Sequence, residues 1–288
     1  MSIETSVHPN TITNVLAQAY QRLHPVHDSA YLDSELLLAH ILGTTRTHLH
    51  TWPDKELSTE QFCQFMELVY SRSTGTPVAY LLRHQEFWSM DFTVTQDTLI
   101  PRPETELLVE LALELVPADQ KATIADLGTG CGAVALAIAK ERPACRVIAT
   151  DVSVHALKIA LHNADRHKLT DVEFRLGDWL APLADELADV IVSNPPYVPE
   201  NDEHLKRGDV RFEPGLALGS GSDGLNAIRI IADKTRMCLK PGGWLCLEHG
   251  YDQKEKVRKL LIRNSYVDIH SFSDLSGNDR VTIAQWSK

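Results

Sequence analysis

The chain has 288 residues, of which 43% are hydrophobic and 23% charged, and its formal net charge is −11. This composition is typical of a soluble globular protein long enough for two domains, and the acidic balance disfavours a general polyanion-binding protein. Because the five cysteines are widely spaced, no signal peptide is recognisable and no apolar run approaches about 18 residues, we expect a cytoplasmic protein without disulfides or a membrane span.

The first part of the chain has helical periodicity. Apolar residues recur every three or four positions in the first segment, at Ile12, Val15, Leu16, Ala19 and Leu23. A second helical pattern covers residues 29–42 and stops at Gly43, and a third begins with the capping-box pair Ser58 and Gln61. We therefore predict a small helical bundle over residues 1–85.

A run rich in aromatic and β-branched residues follows at positions 86–94, with turn-forming residues in its middle. This composition predicts a β-hairpin, within a linker that covers residues 86–100. A further helix is predicted at residues 104–116, after a proline-rich start.

From residue 122 onward, short apolar runs alternate with helical patterns. The runs with the composition of strands are ATIADLG, RVIATD, VEFRLGD, ADVIVSNPPY and GGWLCLEHG. Two more such runs near the C-terminus are joined by a turn and should pair antiparallel. The fold class predicted for residues 101–288 is therefore α/β, with a Rossmann-like, mostly parallel sheet that ends in an antiparallel C-terminal strand.

A glycine-rich turn, DLGTGCG at residues 126–132, leaves the first of these strands and opens a helix. Glycines let the backbone turn sharply and let a ligand approach closely, and the N–H groups at the helix start supply donors. A plain tight turn is one alternative. A dinucleotide site is another, because Gly128, Gly130 and Ala133 match that fingerprint.

Asp151 ends the next strand, where a carboxylate can accept both hydroxyls of a ribose. Its alternative role is to cap the following helix. The glycine turn and Asp151 together predict a cofactor of the adenosine type, without deciding which one.

The most specific motif is Asn194-Pro195-Pro196-Tyr197, which follows a buried strand. Proline has no N–H to continue a ladder, and a residue that precedes proline is held extended. The side-chain oxygen of Asn194 and the main-chain oxygen of Pro195 then give two acceptors on a stiff frame, beside the Tyr197 ring. That arrangement suits a planar NH2 group, although a turn without a ligand is the alternative.

These motifs resemble those of class I S-adenosylmethionine-dependent methyltransferases that act on exocyclic or amide nitrogen. The whole chain is similar to the HemK/PrmC family, the peptide chain release factor glutamine N5-methyltransferases. Cys131 stands where that family often has Thr or Ser, at a position where only the backbone is needed. The segments that carry the resemblance are IPRPETE at 100–106, GDW at 177–179, NPPY at 194–197, GDVRFEP at 208–214 and LEHG at 247–250.

The resemblance implies a role for each matching residue. It implies that S-adenosyl-L-methionine, without a metal, is bound by Gly128, Thr129, Gly130, Cys131, Gly132, Asp151, Asp178, Trp179 and Asn194. It implies that the substrate is bound by Asn194, Pro195, Pro196 and Tyr197, of which Asn194, Pro195 and Tyr197 are catalytic.

The implied reaction is methyl transfer to the side-chain nitrogen N5 of the glutamine in the Gly-Gly-Gln motif of class I release factors. The helical bundle would then recognise the protein substrate, and we expect a monomer that binds neither nucleic acid nor membrane. The main alternative is an N6-adenine or other exocyclic-amine methyltransferase acting on DNA or RNA, because adenine also offers two N–H donors. A nicotinamide-dependent oxidoreductase would leave the NPPY motif unexplained.

Overall fold

The computed structural model describes residues 10–183 and 186–287. The chain divides between Arg83 and His84 into two compact units. The hairpin belongs to the second unit, whereas the sequence predicted a separate linker over residues 86–100. The reason is hydrogen bonding within that unit, since the Trp88 N–H donates to Glu106 Oε1 at 2.7 Å.

The first unit is helical. Its helices are α1 (Ile12–Leu23), α2 (Ala30–Leu42), α3 (Arg46–Thr51), α4 (Thr59–Ser73) and α5 (Val78–Leu82). The capping box of Ser58 and Gln61 begins α4 as predicted, and Gly43 ends α2 with a φ of 60°. Helix α3 was not predicted, because its six residues are too few to show a helical period.

Apolar side chains from three of these helices form the core of the first unit. The fully buried members are Val15, Ala19, Leu23, Leu37, Leu38, Phe65 and Val69. Val15, Ala19 and Leu23 lie on consecutive turns of the stripe recognised in the sequence of α1, so hydrophobic burial explains why this helix forms here.

The second unit begins with the hairpin of β1 (Gln85–Phe87) and β2 (Met90–Phe92). Its two-residue turn consists of Trp88 and Ser89, with φ values of 53° and 51°, the left-handed conformation that such short hairpin turns require. Helix α6 (Glu106–Leu115) follows after the proline-rich segment.

The remainder of the second unit is a seven-stranded sheet with helices between its strands. The strands are β3 (Thr123–Leu127), β4 (Arg146–Asp151), β5 (Glu173–Leu176), β6 (Ala188–Ser193), β7 (Leu239–Glu248), β8 (Tyr266–Ser273) and β9 (Asp279–Trp286). The helices are α7 (Ala133–Glu141), α8 (Val154–His167), α9 (Asn226–Lys234) and α10 (Lys254–Arg263).

The strand order is β5-β4-β3-β6-β7-β9-β8, in which β3 to β7 run parallel and β9 pairs antiparallel with both β7 and β8. The predicted fold class is confirmed. Helix α10 was not predicted, because only Val257 and Leu261 of this basic segment are buried and its apolar stripe is weak. The order of the strands reverses between β3 and β6, and ligands of open parallel sheets bind at such a point.

In the parts of the chain that the structure describes, no helix combines the length and the apolar composition needed to cross a membrane.

Candidate active site

The carboxyl ends of β3 and β6 lie side by side at the reversal of strand order. Leu127 pairs with Ser193 across the two strands, and the Ser193 hydroxyl donates to the Leu127 carbonyl at 2.7 Å. The glycine turn and the NPPY segment therefore leave the sheet next to each other, although 66 residues separate these strand ends in the chain.

A small cavity lies between these two segments. Its wall includes Gly128, Thr129, Gly130 and Cys131 of the glycine turn, together with Asn194. Pro101 and Thr105 close the cavity from the proline-rich segment before α6. Three segments that the sequence singled out separately thus meet at one site.

The glycine turn has the conformation that its glycines predict. Gly128, Gly130 and Gly132 have φ values of 75°, 58° and 87°, which are strained for other residues. A Cβ built at Gly130 would have no heavy atom of the described residues within 4 Å, so the space before this residue is open. Gly132 differs, because a Cβ there would lie 3.2 Å from the Cβ of Ala160 in α8.

Two acidic side chains brace this turn. The buried Asp126 carboxylate accepts a hydrogen bond from the Thr129 hydroxyl at 2.7 Å, and burial raises the pKa of Asp126 to about 7. Asp151 is half-buried and accepts from the Gly130 N–H at 2.9 Å and from the Ser153 N–H at 2.8 Å. Burial raises the pKa of Asp151, and these two N–H donors oppose the shift. Asp151 therefore contacts the glycine turn directly, and the residue that caps α8 is Ser153.

The two residues of the GDW segment have different surroundings. The ring of the half-buried Trp179 lies 3.4 Å from the position that a Cβ of Gly128 would take. The Trp179 carbonyl accepts from the Thr150 hydroxyl at 3.0 Å, which holds the residue at a φ of 47°. Asp178 is exposed to solvent. The structure thus brings Trp179, but not the Asp178 side chain, into packing with the predicted cofactor turn.

The orientation of the Asn194 side chain is defined by one hydrogen bond. Its Nδ2 donates to Thr105 Oγ1 at 3.1 Å. Within residues 10–183 and 186–287, neither Oδ1 of Asn194 nor the main-chain oxygen of Pro195 accepts a hydrogen bond. Neither predicted acceptor is therefore occupied by a donor of the described residues; Asn194 is half-buried and Pro195 is buried.

The rest of the NPPY segment lies beyond the cavity wall, which does not include Pro195, Pro196 or Tyr197. The Tyr197 hydroxyl donates to Glu248 Oε1 at 3.2 Å, and its carbonyl accepts from Gln253 Nε2 at 2.9 Å. Burial raises the pKa of Tyr197, so its hydroxyl stays protonated at neutral pH.

A buried carboxylate joins two of the segments that surround the site. Glu213, in the GDVRFEP segment, accepts from the Ile100 N–H at 3.1 Å and forms an ion pair with Arg102. Burial raises the pKa of Glu213, and the Arg102 guanidinium opposes that shift. The loop that follows the NPPY segment is thereby held against the segment that closes the cavity.

Sequence reasoning assigned no role to several buried polar residues around the site. Asn163 of α8 donates to the carbonyls of Thr93 and Cys131 at 3.0 and 2.9 Å, which ties the chain after the hairpin to the glycine turn. The motifs that contain Thr105 and Glu248 predict no separate role for either residue. One sequence feature could have revealed such a residue, namely a polar side chain within an otherwise apolar pattern. Asn163 shows this feature, because it lies on the buried face of its helix.

Among the residues that the structure describes, no three His, Cys, Asp or Glu side chains are grouped closely enough to hold a metal ion.

Comparison with known proteins identifies relatives over nearly the whole length. The family model of the PrmC N-terminal domain matches residues 14–82, and that of the methyltransferase small domain matches residues 104–209. The release factor glutamine methyltransferase of Shewanella oneidensis is 45% identical over 275 residues, 96% of each chain. That of Pseudomonas aeruginosa is 49% identical over 263 residues, 91% of this chain and 95% of its own.

A solved methyltransferase structure from Pyrococcus furiosus is similar in fold to most of the chain. It is 18% identical, with a TM-score of 0.54 over 69% of this chain and 90% of its own.

Proposed function

Since the chain belongs to the release factor glutamine methyltransferase family, we propose that it methylates the side-chain nitrogen N5 of a glutamine in a class I peptide chain release factor. The methyl donor is S-adenosyl-L-methionine, and the target is the glutamine of the factor's Gly-Gly-Gln motif. The enzyme then works beside the translation machinery, in the cytoplasm.

One observation carries this proposal from the geometry of the site. Oδ1 of Asn194, a residue of the cavity wall beside the glycine turn, and the carbonyl of the adjacent Pro195 are two acceptors directly after β6 that have no donor among the described residues. A carboxamide NH2 has two N–H donors in one plane, so it satisfies both oxygens at once. A glutamine side chain presents this group at the end of a flexible stem.

The residues around the glycine turn are suited to the proposed cofactor, which supplies an electrophilic methyl group on a positively charged sulfur. The open space before Gly130 admits a ligand against the backbone. The half-buried Asp151 carboxylate suits the ribose hydroxyls, and the Trp179 ring suits an aromatic base. Contacts of these types require no metal ion.

Asn194 and Pro195 would promote the reaction by positioning and by polarisation. An amide nitrogen is a poor nucleophile because its lone pair is delocalised into the carbonyl. Accepting hydrogen bonds from both N–H groups increases the electron density on nitrogen and directs its lone pair toward the methyl group. Alignment of this kind can supply up to roughly 7–11 kcal/mol in ideal cases.

No general base is required among the residues that hold the amide. The N-methylated amide cation is very acidic and loses its extra proton to water. Consistent with this, residues 194–199 include no His, Lys or carboxylate side chain. Selectivity follows from the same oxygens, because each acceptor left without a donor in a desolvated site costs about 1–3 kcal/mol.

The first unit would recognise the release factor through a surface that takes no part in methyl transfer. The family model of the PrmC N-terminal domain covers nearly all of its described residues. Such a second docking surface would add affinity without taking part in methyl transfer.

The test is a methylation assay with the purified chain, labelled S-adenosyl-L-methionine and a purified class I release factor. We expect one methyl group on the glutamine of the Gly-Gly-Gln motif, located by mass spectrometry. A factor in which that glutamine is replaced by asparagine is the control and should remain unmodified. Transfer to DNA or RNA in the absence of transfer to the factor would favour the exocyclic-amine alternative and refute the proposal.

A further inference from the structure

A group of buried polar side chains lies behind Asn194 and Tyr197. Glu248, the last residue of β7, is only 1% exposed, and its Oε1 accepts from the Tyr197 hydroxyl at 3.2 Å. Its Oε2 is buried too, and within the described part of the chain it has no hydrogen-bond partner. The buried Thr105 lies against the same carboxyl group and lowers its pKa.

The hydrogen-bonding capacity of these groups determines which of them donates a proton and which accepts it. A carboxylate only accepts hydrogen bonds, whereas a threonine hydroxyl has one proton to donate and also accepts. Thr105 Oγ1 accepts from Asn194 Nδ2 at 3.1 Å, so its own proton is donated elsewhere. The Glu248 carboxyl group, whose pKa Thr105 lowers, has one buried oxygen without a partner among the described residues, and this oxygen can accept that proton.

We propose that Glu248 and Thr105 are positioning residues that fix which atom of the Asn194 amide faces the substrate. This inference rests on the proposed function. In this arrangement the Thr105 hydroxyl would donate its proton to the unpartnered Oε2 of Glu248. The Thr105 oxygen accepts a proton of Asn194 Nδ2, and Oδ1 is thereby turned toward the substrate amide. The reversed amide would present NH2 to NH2, and two donors form no hydrogen bond.

The same carboxylate also fixes the other side of the proposed amide pocket. Because Glu248 Oε1 holds the Tyr197 hydroxyl, a single buried group orients both side chains that flank Pro195 and Pro196. A side chain at position 248 that can donate as well as accept would no longer fix the orientation of either Asn194 or Tyr197.

A pH dependence follows from this arrangement. Burial raises the pKa of Glu248 to about 7; Thr105, Arg280 and Tyr197 oppose the shift, and Glu104 adds to it. A protonated carboxyl can donate to Thr105 and let the Asn194 amide turn over. Turnover should therefore fall as the pH drops below about 7, and this acid limb should be absent from a variant that lacks the carboxylate.

The test compares three full-length variants, E248Q, T105V and T105S, with T235V as a matched control. Thr235 is also buried and hydrogen-bonded, to Tyr266, but lies after α9 and outside the site. We expect kcat for the release factor to fall about 10- to 100-fold in E248Q and T105V, as when outer partners of metal ligands are removed. T105S, which retains the hydroxyl, should recover most of the turnover, and T235V should change kcat less than threefold or so.

A second readout is independent of turnover. The side-chain 15NH2 resonances of Asn194, assigned through N194A, should shift in E248Q and T105V and stay close to wild type in T105S. An E248Q enzyme with wild-type kcat and unshifted Asn194 resonances would overturn the inference. Failure of the wild type to methylate any release factor would refute the proposed function instead, and the resonances would still decide the role of Glu248.

Discussion

Asn194 connects two segments of the site, because it borders the glycine turn and its side chain is held by Thr105 of the proline-rich segment. We expect N194A to lower kcat about 100-fold or more, a loss comparable to that of one preorganised hydrogen-bonding group in other enzymes. Cofactor affinity, measured by calorimetry, should fall much less than kcat, since Asn194 is one of several predicted cofactor contacts and the backbone of the glycine turn is untouched. The exposed Asn278, in the turn before β9, gives the control N278A, and an N194A variant with normal turnover would contradict the role of this side chain.

Asp126 makes a prediction about stability rather than activity. Its folded-state pKa of about 7 lies above the ordinary value of 3.8, so its contribution to stability is fully present below about pH 4 and is lost as the pH rises through 7. We expect D126N to raise the free energy of unfolding at pH 8 by up to a few kcal/mol, since each pKa unit corresponds to about 1.4 kcal/mol.

Thermal or urea unfolding at pH 5 and pH 8 measures this effect. The difference between D126N and wild type should shrink at the lower pH. The control is D171N, because Asp171 is exposed, and it should give the same small difference at both values. A D126N protein that is less stable than wild type at pH 8 would show that the ionised carboxylate stabilises the turn.

At the scale of elements, two glycines of the turn differ in their surroundings. Gly130 faces open space in which a ligand could lie, whereas Gly132 packs against neighbouring side chains. Alanine in the left-handed conformation costs about 1–2 kcal/mol, so both G130A and G132A should lose at least that much stability. G132A should lose more, because its Cβ meets Ala160 and Leu136 at 3.2 Å.

The affinity for S-adenosyl-L-methionine should show the opposite order. Since the space before Gly130 is open, the methyl group of G130A would occupy the position of a ligand, and affinity should fall by about tenfold, or 1.4 kcal/mol, or more. Calorimetry and thermal unfolding of the two variants test the contrast. Equal losses of affinity in both would indicate that only backbone strain matters.

The sequence predicted those elements that are determined by residues close together in the chain. The capping box of α4, the alternation of β3 to β7 with helices and the turn motifs at strand ends all depend on neighbours in the chain. Asn163, Thr105 and Glu248 could not be understood in this way, because their partners are distant. The Tyr197–Glu248 hydrogen bond spans 51 residues and the Asn163–Thr93 contact spans 70.

At the scale of the whole molecule, the division at Arg83 predicts separable tasks. A chain that lacks residues 1–83 retains the complete sheet and the site, so its affinity for S-adenosyl-L-methionine should match that of the full chain. The kcat/KM for an intact release factor should fall about tenfold or more, which corresponds to the loss of 1.4 kcal/mol of docking energy.

A short peptide that contains Gly-Gly-Gln is the internal control for this deletion. Because such a peptide is too small to engage a second docking surface, both forms of the enzyme should methylate it at the same low rate. If the truncated chain methylates the intact factor as efficiently as the full chain does, the first unit has no part in substrate recognition.

The thiol of Cys131 offers a built-in reporter of any local opening at the site. It is 3% exposed, and burial raises its pKa to about 12, so it is nearly inert toward alkylating reagents while the turn is closed. Labelling of Cys131 then has to await a local opening of the loop, and a bound ligand should slow it. The exposed Cys63 in the first unit reacts independently of that event and supplies the reference rate.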